Sequence, residues 1–217
     1  MRGVLIAVTV WFAWAAAHCQ RAPAEESVVQ AAPIAPTAAL PSAGATAEHA
    51  LAASDPPRDR CVRPTPAEPP PPVAAGPAPG CPADPEQTLG KLPVKRVAIS
   101  DSEHRSRGVV SAEIAVSPHD TQRGLMYRKS MQEDHGMLFD LRVRGDHVFW
   151  MHNTCIPLDL LYVDDDGLIV GIVENAPTLD DSSRGVGCES RYVLEVNAGW
   201  CRRHGVKAGQ RMAIPAL

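Results

Sequence analysis

The sequence predicts a mainly β protein: a compact small β-barrel or sandwich-like domain with two short helices, behind a signal peptide and a disordered Ala/Pro-rich spacer. Three observations lead there. Of 21 Pro, 16 fall in the first 90 residues, where their missing donors and fixed φ disfavour regular helix or sheet. From Val94 onward, short β-branched runs alternate with turn residues at regular spacing. No repeating strand–helix–strand rhythm interrupts them, which excludes a doubly wound sheet. The boundaries are 1–18 for the signal, 19–93 for the spacer and 94–217 for the β domain.

The N-terminus has Met1-Arg2 and then an uncharged apolar run of 15 residues, Gly3 to Ala17. A membrane-spanning helix needs about 20 residues, so this run reads as the core of an export signal. Ala15-Ala16-Ala17 suits cleavage, and Cys19 is a candidate for lipidation, although His18 precedes it where a small residue is usual. The spacer has no aromatic residue between positions 20 and 93 and too little apolar surface to offset its ordering entropy. Cys61 and Cys81 lie within it, free to pair with each other or with another chain.

In the domain, VKRVAI and VVSAEIAV read as strands. Ser117-Pro118 gives an N-cap and a Pro at the first helical position, predicting a helix from Pro118 to about Leu125. GMLFDL, HVFWMH and PLDLLYV continue the strand pattern. Asp165-Asp166-Gly167 marks a hairpin turn into LIVGIVE. RYVLEVN is a further strand, Ala198–His204 a short helix stopped by Gly205, and the stretch near Arg211–Ile214 a final strand.

The blocks QRGLMYRKSMQEDHGMLF, FWMHNTCIPLDLLYVDDDGLIVGIVENA, SRYVLEVNAGW and HGVKAGQRM together resemble domain-of-unknown-function family 192, over about residues 108–215. The resemblance implies a small β-rich domain and brings no established activity. His152 departs from the Lys or Arg expected of many members there.

Several residues are candidates for chemistry. Trp150, His152, Asn153 and Thr154 sit where a strand run ends, polar groups beside an aromatic, with Arg123 and Met126 expected to approach them as a ligand surface. The bland alternative is that Asn153 and Thr154 only satisfy a turn. Asp159 and Glu195 stand in otherwise apolar rows and need partners or take raised pKa values. Facing each other, they form an acid/base pair for hydrolysis, with His152 auxiliary. Clasped by Arg123 or Arg191, they are structural. Cys155 and Cys188, each a few residues before a strand, are the expected disulfide, leaving Cys201 free and buried. No Cys/His spacing suits a metal, the Asp164–Gly167 run fails the EF-hand pattern, and no cofactor is expected.

The charge is balanced, with 15 Lys/Arg against 17 Asp/Glu in residues 95–217, so a nucleic-acid partner is not expected. No phosphate-binding loop, dinucleotide fingerprint, zinc-protease motif or nucleophile elbow is present. The expectation is an exported, periplasmic or envelope-held binding or accessory module. Its partner is a small molecule or an envelope component, and it meets the membrane only through a lipid on Cys19. The alternatives are a hydrolase and a purely structural domain.

Overall fold

The computed structural model describes residues 60–86 and 91–217. The signal peptide, Cys19 and the rest of the expected spacer lie outside these residues. The domain is a seven-stranded curled half-barrel. Its elements are β1 (Val94–Ser100), β2 (Ser106–Ala115), α1 (Pro118–Arg123), β3 (His135–Gly145), β4 (Leu158–Val163), β5 (Ile169–Ala176), β6 (Ser190–Asn197), α2 (Trp200–His204) and β7 (Arg211–Met212). The sheet order is β5-β4-β6-β3-β2-β1-β7. Neighbours are antiparallel except β2 and β3, which run parallel and are joined by the crossover that carries α1.

The sheet curls until its edges touch at one corner. Leu168 bridges Arg211, the Ile169 N–H donates to Gln210 O at 2.9 Å, and the Met212 N–H donates to Gly167 O at 2.8 Å. Gly167 serves both the turn and this closure. Its φ is +83°, and a Cβ there would lie 2.2 Å from Met212 O. The predicted Asp-Asp-Gly hairpin therefore joins β4 to β5 and also seals the corner.

Curling buries both faces of the central strands. Every residue of β4 is buried. One face puts Leu161, Leu194, Val196 and Trp200 into one apolar cluster. The other puts Leu160, Tyr162, Val193, Met137 and Phe139 into a second. Strand alternation assigns successive residues to opposite clusters. The run HVFWMH forms no strand: Phe149 makes only an isolated two-bond bridge to Arg184, and its ring packs edge-on against Phe139 at 5.2 Å. Neither described helix is long and apolar enough to cross a membrane.

Residues 60–86 correct the spacer reading. They run as an extended strap over the domain, covalently tied at two points, Cys61–Cys188 and Cys81–Cys155, with Cα separations of 5.5 and 5.4 Å. The expected Cys155–Cys188 bond is therefore overturned, because each domain cysteine takes a strap partner instead. Cys201 is free and buried, as expected. The closed loops span 127 and 74 residues, each worth about 4–5 kcal/mol in the chain-entropy model. Between the two ties, backbone groups hold the strap. The Arg63 N–H donates to Val170 O and the Ala78 N–H to Cys155 O, both at 2.8 Å. Arg202 clasps the carbonyls of Pro66, Ala67 and Glu68, and its charge is met by Glu174 at 2.7 Å. Composition argued for disorder by counting apolar burial, and this segment is held by bonds that such a count omits.

Candidate functional site

Two buried carboxyls define the chemistry of the central strands, and the β4–β6 register separates them. Asp159 lies opposite Val196, while Glu195 lies opposite Leu160. Adjacent residues on a strand point to opposite faces, so Asp159 and Glu195 sit on opposite sides of the sheet. The expected acid/base pair is overturned. The alternative of an arginine clasp fails for both as well, since Arg123 pairs with Asp84 and Arg191 with Asp140 and Asp165.

Asp159 is structural. Its Oδ1 accepts the N–H of Asn175 at 2.9 Å and of Gly199 at 3.0 Å, and its Oδ2 accepts the N–H of Cys201 at 3.0 Å. Gly199 is the N-cap of α2 and has no side chain to cap it, so Asp159 supplies the cap from another strand. Burial pushes its pKa upward, and the three N–H groups pull against that shift.

Glu195 has no hydrogen-bond partner among the described residues. It is 4% exposed, and desolvation, opposed only by the charge of Arg128, raises its pKa to about 8. Its carboxyl lines a cleft of about 220 Å³ whose other walls include Leu125, Phe139, Phe149, Trp150 and Thr154. Gln122, Arg123 and His147 line it too, and aromatic walls with a few convergent polar groups are the usual form of a small-molecule site.

The turn after α1 and the loop before β4 build the rim. Ser117 caps α1, its Oγ accepting the Asp120 N–H at 3.1 Å, and the helix ends at Gly124. The chain then turns so that the Tyr127 N–H donates to Asn153 O at 2.8 Å, and Asn153 Nδ2 donates to Tyr127 Oη at 2.9 Å. Both residues have positive φ, 65° and 52°. Asn tolerates that region, whereas Tyr does so at a cost of about 1–3 kcal/mol. This mutual bonding holds the turn and the loop face to face.

The six expected ligand-surface residues therefore come together, although two of them have local duties. Arg123, Met126, Trp150 and Thr154 line the cleft above Glu195. Arg123, Met126, Trp150, His152 and Asn153 line a second, adjoining cleft of about 340 Å³. Thr154 Oγ1 donates to His152 O at 3.2 Å, and Asn153 serves the turn. Trp150 is 47% exposed, and its ring stacks on His152 with centroids 4.8 Å apart. His152 Nδ1 meets Asp181 at 2.7 Å on the surface, outside the cleft that Glu195 lines, so it is no auxiliary to that carboxyl. Sequence reasoning missed Leu125, Phe139 and Phe149 as walls. The alternation in GMLFDL was the available signal, but it read equally well as plain core. It also missed Glu86 and His119 at the second cleft, where Glu86 and then Asp120 raise the His119 pKa.

Fold and site together define a small curled half-barrel domain with an aromatic-walled cleft that Glu195 and Arg123 both line. The chain belongs to domain-of-unknown-function family 192 (DUF192, Uncharacterized ACR), whose profile matches residues 99–214. Among solved structures it is similar to a candidate transcription regulator from Sinorhizobium meliloti 1021. The identity is 37% at a TM-score of 0.56, over 58% of this chain and 97% of that one. It is also similar to a protein of unknown function from Novosphingobium aromaticivorans DSM 12444, at 30% identity and a TM-score of 0.54, over 65% of this chain and 94% of that one. A comparison with curated proteins returns no match. The two disulfides are consistent with an extracellular or periplasmic protein.

Proposed function

We propose that the protein is an exported, envelope-held binding module, and that its ligand site is the cleft above Glu195. The apolar N-terminal run, with Cys19 as a candidate anchor, and the disulfide-tied strap support export. The observation that carries the binding reading is the Glu195 carboxyl, nearly buried and without a protein hydrogen-bond partner among the described residues, at an aromatic-walled cleft. Its oxygens are free to accept from a ligand bearing a hydrogen-bond donor. The ligand is therefore a small molecule with an apolar body, which packs against Phe139, Phe149 and Trp150, and an amine or other donor that meets Glu195.

Catalysis has weaker support. A carboxyl with a pKa of about 8 suits a general acid, but the register puts the only paired carboxyl considered, Asp159, on the opposite face. A regulator of transcription, as for the Sinorhizobium meliloti relative, gains nothing from the balanced charge of this domain.

The test is a thermal-shift series with phenethylamine, 2-phenylethanol and ethylbenzene. The amine should raise the melting temperature most and ethylbenzene least, and Glu195→Gln should remove that ranking. If all three compounds shift wild type and variant alike, or none shifts either, the reading fails.

A further inference from the structure

The last described stretch of the strap, residues 82–86, is held differently from the rest. Before Cys81, backbone groups and the Arg202 clasp fix the strap to the domain. After Cys81, the polar contacts to the domain are side-chain charges. Arg123 Nη2 donates to Asp84 Oδ2 at 2.5 Å, Arg123 Nη1 lies 3.7 Å from Glu86, and His119 Nε2 lies 3.2 Å from Glu86. Arg123 also has a support outside this arm: its guanidinium lies 5.1 Å from the Tyr127 ring centroid, against the turn that Asn153 fixes. Of the nearby acids, Asp181 pairs with His152 and Glu113 with Arg128, while Asp120 lies 3.5 Å from the other ring nitrogen of His119 and shares that ring with Glu86, which leaves Arg123 as the cation facing the arm. A cleft of about 340 Å³ lies between Pro85-Glu86 and Trp150-His152-Asn153.

We propose that Arg123 and His119, with the cleft beside them, form a docking site for an extended acidic peptide segment, and that Asp84 and Glu86 occupy it in cis. Carboxylates two residues apart on an extended chain fall on one side, which matches Arg123 and His119 presented on one wall. The bidentate fork of Arg123 suits carboxylate recognition. The adjoining cleft, walled by Trp150, accepts further residues of an incoming peptide. Because Cys81 is bonded to Cys155 three residues before Asp84, the arm stays at a local concentration of about millimolar or more. It therefore masks the site against peptides in solution. This site adjoins the Glu195 cleft and shares Arg123, Met126 and Trp150 with it, but it does not rest on the amine reading of Glu195.

The experiment uses the full oxidised chain and a fluorescein-labelled peptide, Pro-Ala-Asp-Pro-Glu-Gln, read by anisotropy at low salt. The Asp84→Asn/Glu86→Gln protein should bind it at least tenfold more tightly than wild type. Arg123→Gln in that background should abolish binding, as should a peptide carrying Asn and Gln in place of its acids, and added salt should weaken it. The single variants Asp84→Asn and Glu86→Gln, each still tied by Cys81–Cys155, provide the comparison if the double variant melts early. No gain in binding in any unmasked variant that melts as wild type does would show the arm to be a structural staple and overturn the proposal. So would binding that survives Arg123→Gln.

Discussion

Asp159 and Glu195 are buried carboxyls on neighbouring strands, one residue out of register with each other, and the two faces of the sheet treat them in opposite ways. On Asp159's side, three backbone N–H groups converge, two of them from the start of α2. On Glu195's side, no hydrogen-bond donor reaches the carboxyl among the described residues, and only the charge of Arg128 acts against desolvation. The same burial thus produces a cap in one place and a group without a protein partner at a cleft in the other. A buried carboxyl becomes interesting for function when its partners are missing, and the sequence around each residue looks nearly the same.

The comparison can be broken most forcefully at Asp159. Asp159→Ala leaves three N–H groups without their acceptor and uncaps α2, and should cost about 3 kcal/mol in urea unfolding. A loss below about 1 kcal/mol would remove the structural half of the contrast. The next effect in size is at Glu195, and its sign depends on pH. The folded pKa of about 8 exceeds the ordinary 4.5, so the folded state holds a proton that the unfolded state releases. The stability linked to that proton is complete below pH 4.5 and is lost as pH rises through about 8. Glu195→Gln should therefore flatten the pH profile and, at pH 8, stabilise the protein by on the order of 2 kcal/mol relative to wild type. A profile unchanged by the substitution would place the carboxyl in water. The same titration sharpens the binding reading: uptake of phenethylammonium should release a proton between pH 5 and 7.5, measurable by calorimetry in two buffers. Trp150→Ala should weaken that binding by about tenfold while changing stability by less than about 1 kcal/mol, because the ring is half exposed. The smallest effect belongs to His152→Ala, within about 0.5 kcal/mol at pH 7, since its pair with Asp181 lies on the surface.

What was legible in the sequence was local. Ser117-Pro118 started a helix, Asp-Asp-Gly closed a hairpin and β-branched runs became strands, because each signal acts within a few residues. The separation of Asp159 from Glu195 was not legible. It turns on a single step of register between strands more than thirty positions apart in the chain, and one step reverses the face. Cysteine pairing was hidden for a related reason. Cys155 and Cys188 both precede strands, but spacing along the chain says nothing about which sulfurs meet, and the partners lay in a segment whose composition argued against order. The aromatic walls of the cleft were visible as apolar residues without any sign that one face would stay open. The Trp150 loop and the Arg123 turn were expected near each other, but the Tyr127–Asn153 bond that joins them was not foreseen, since it relies on two left-handed residues distant in sequence.

The Cys61–Cys188 bond also sets where mechanical load can travel. A pull entering the oxidised chain at Arg60 passes through sulfur directly to the residue just ahead of β6. Residues 62–187, with β1 to β5 and the walls they give to both clefts, then hang beside the line of tension as a covalently closed side loop. Only β6, α2 and β7 remain in series between that bond and Leu217. A load applied between Arg60 and Leu217 would therefore fall first on the last thirty or so residues, while the covalent loop that carries Arg123 and Trp150 stays out of the line of tension.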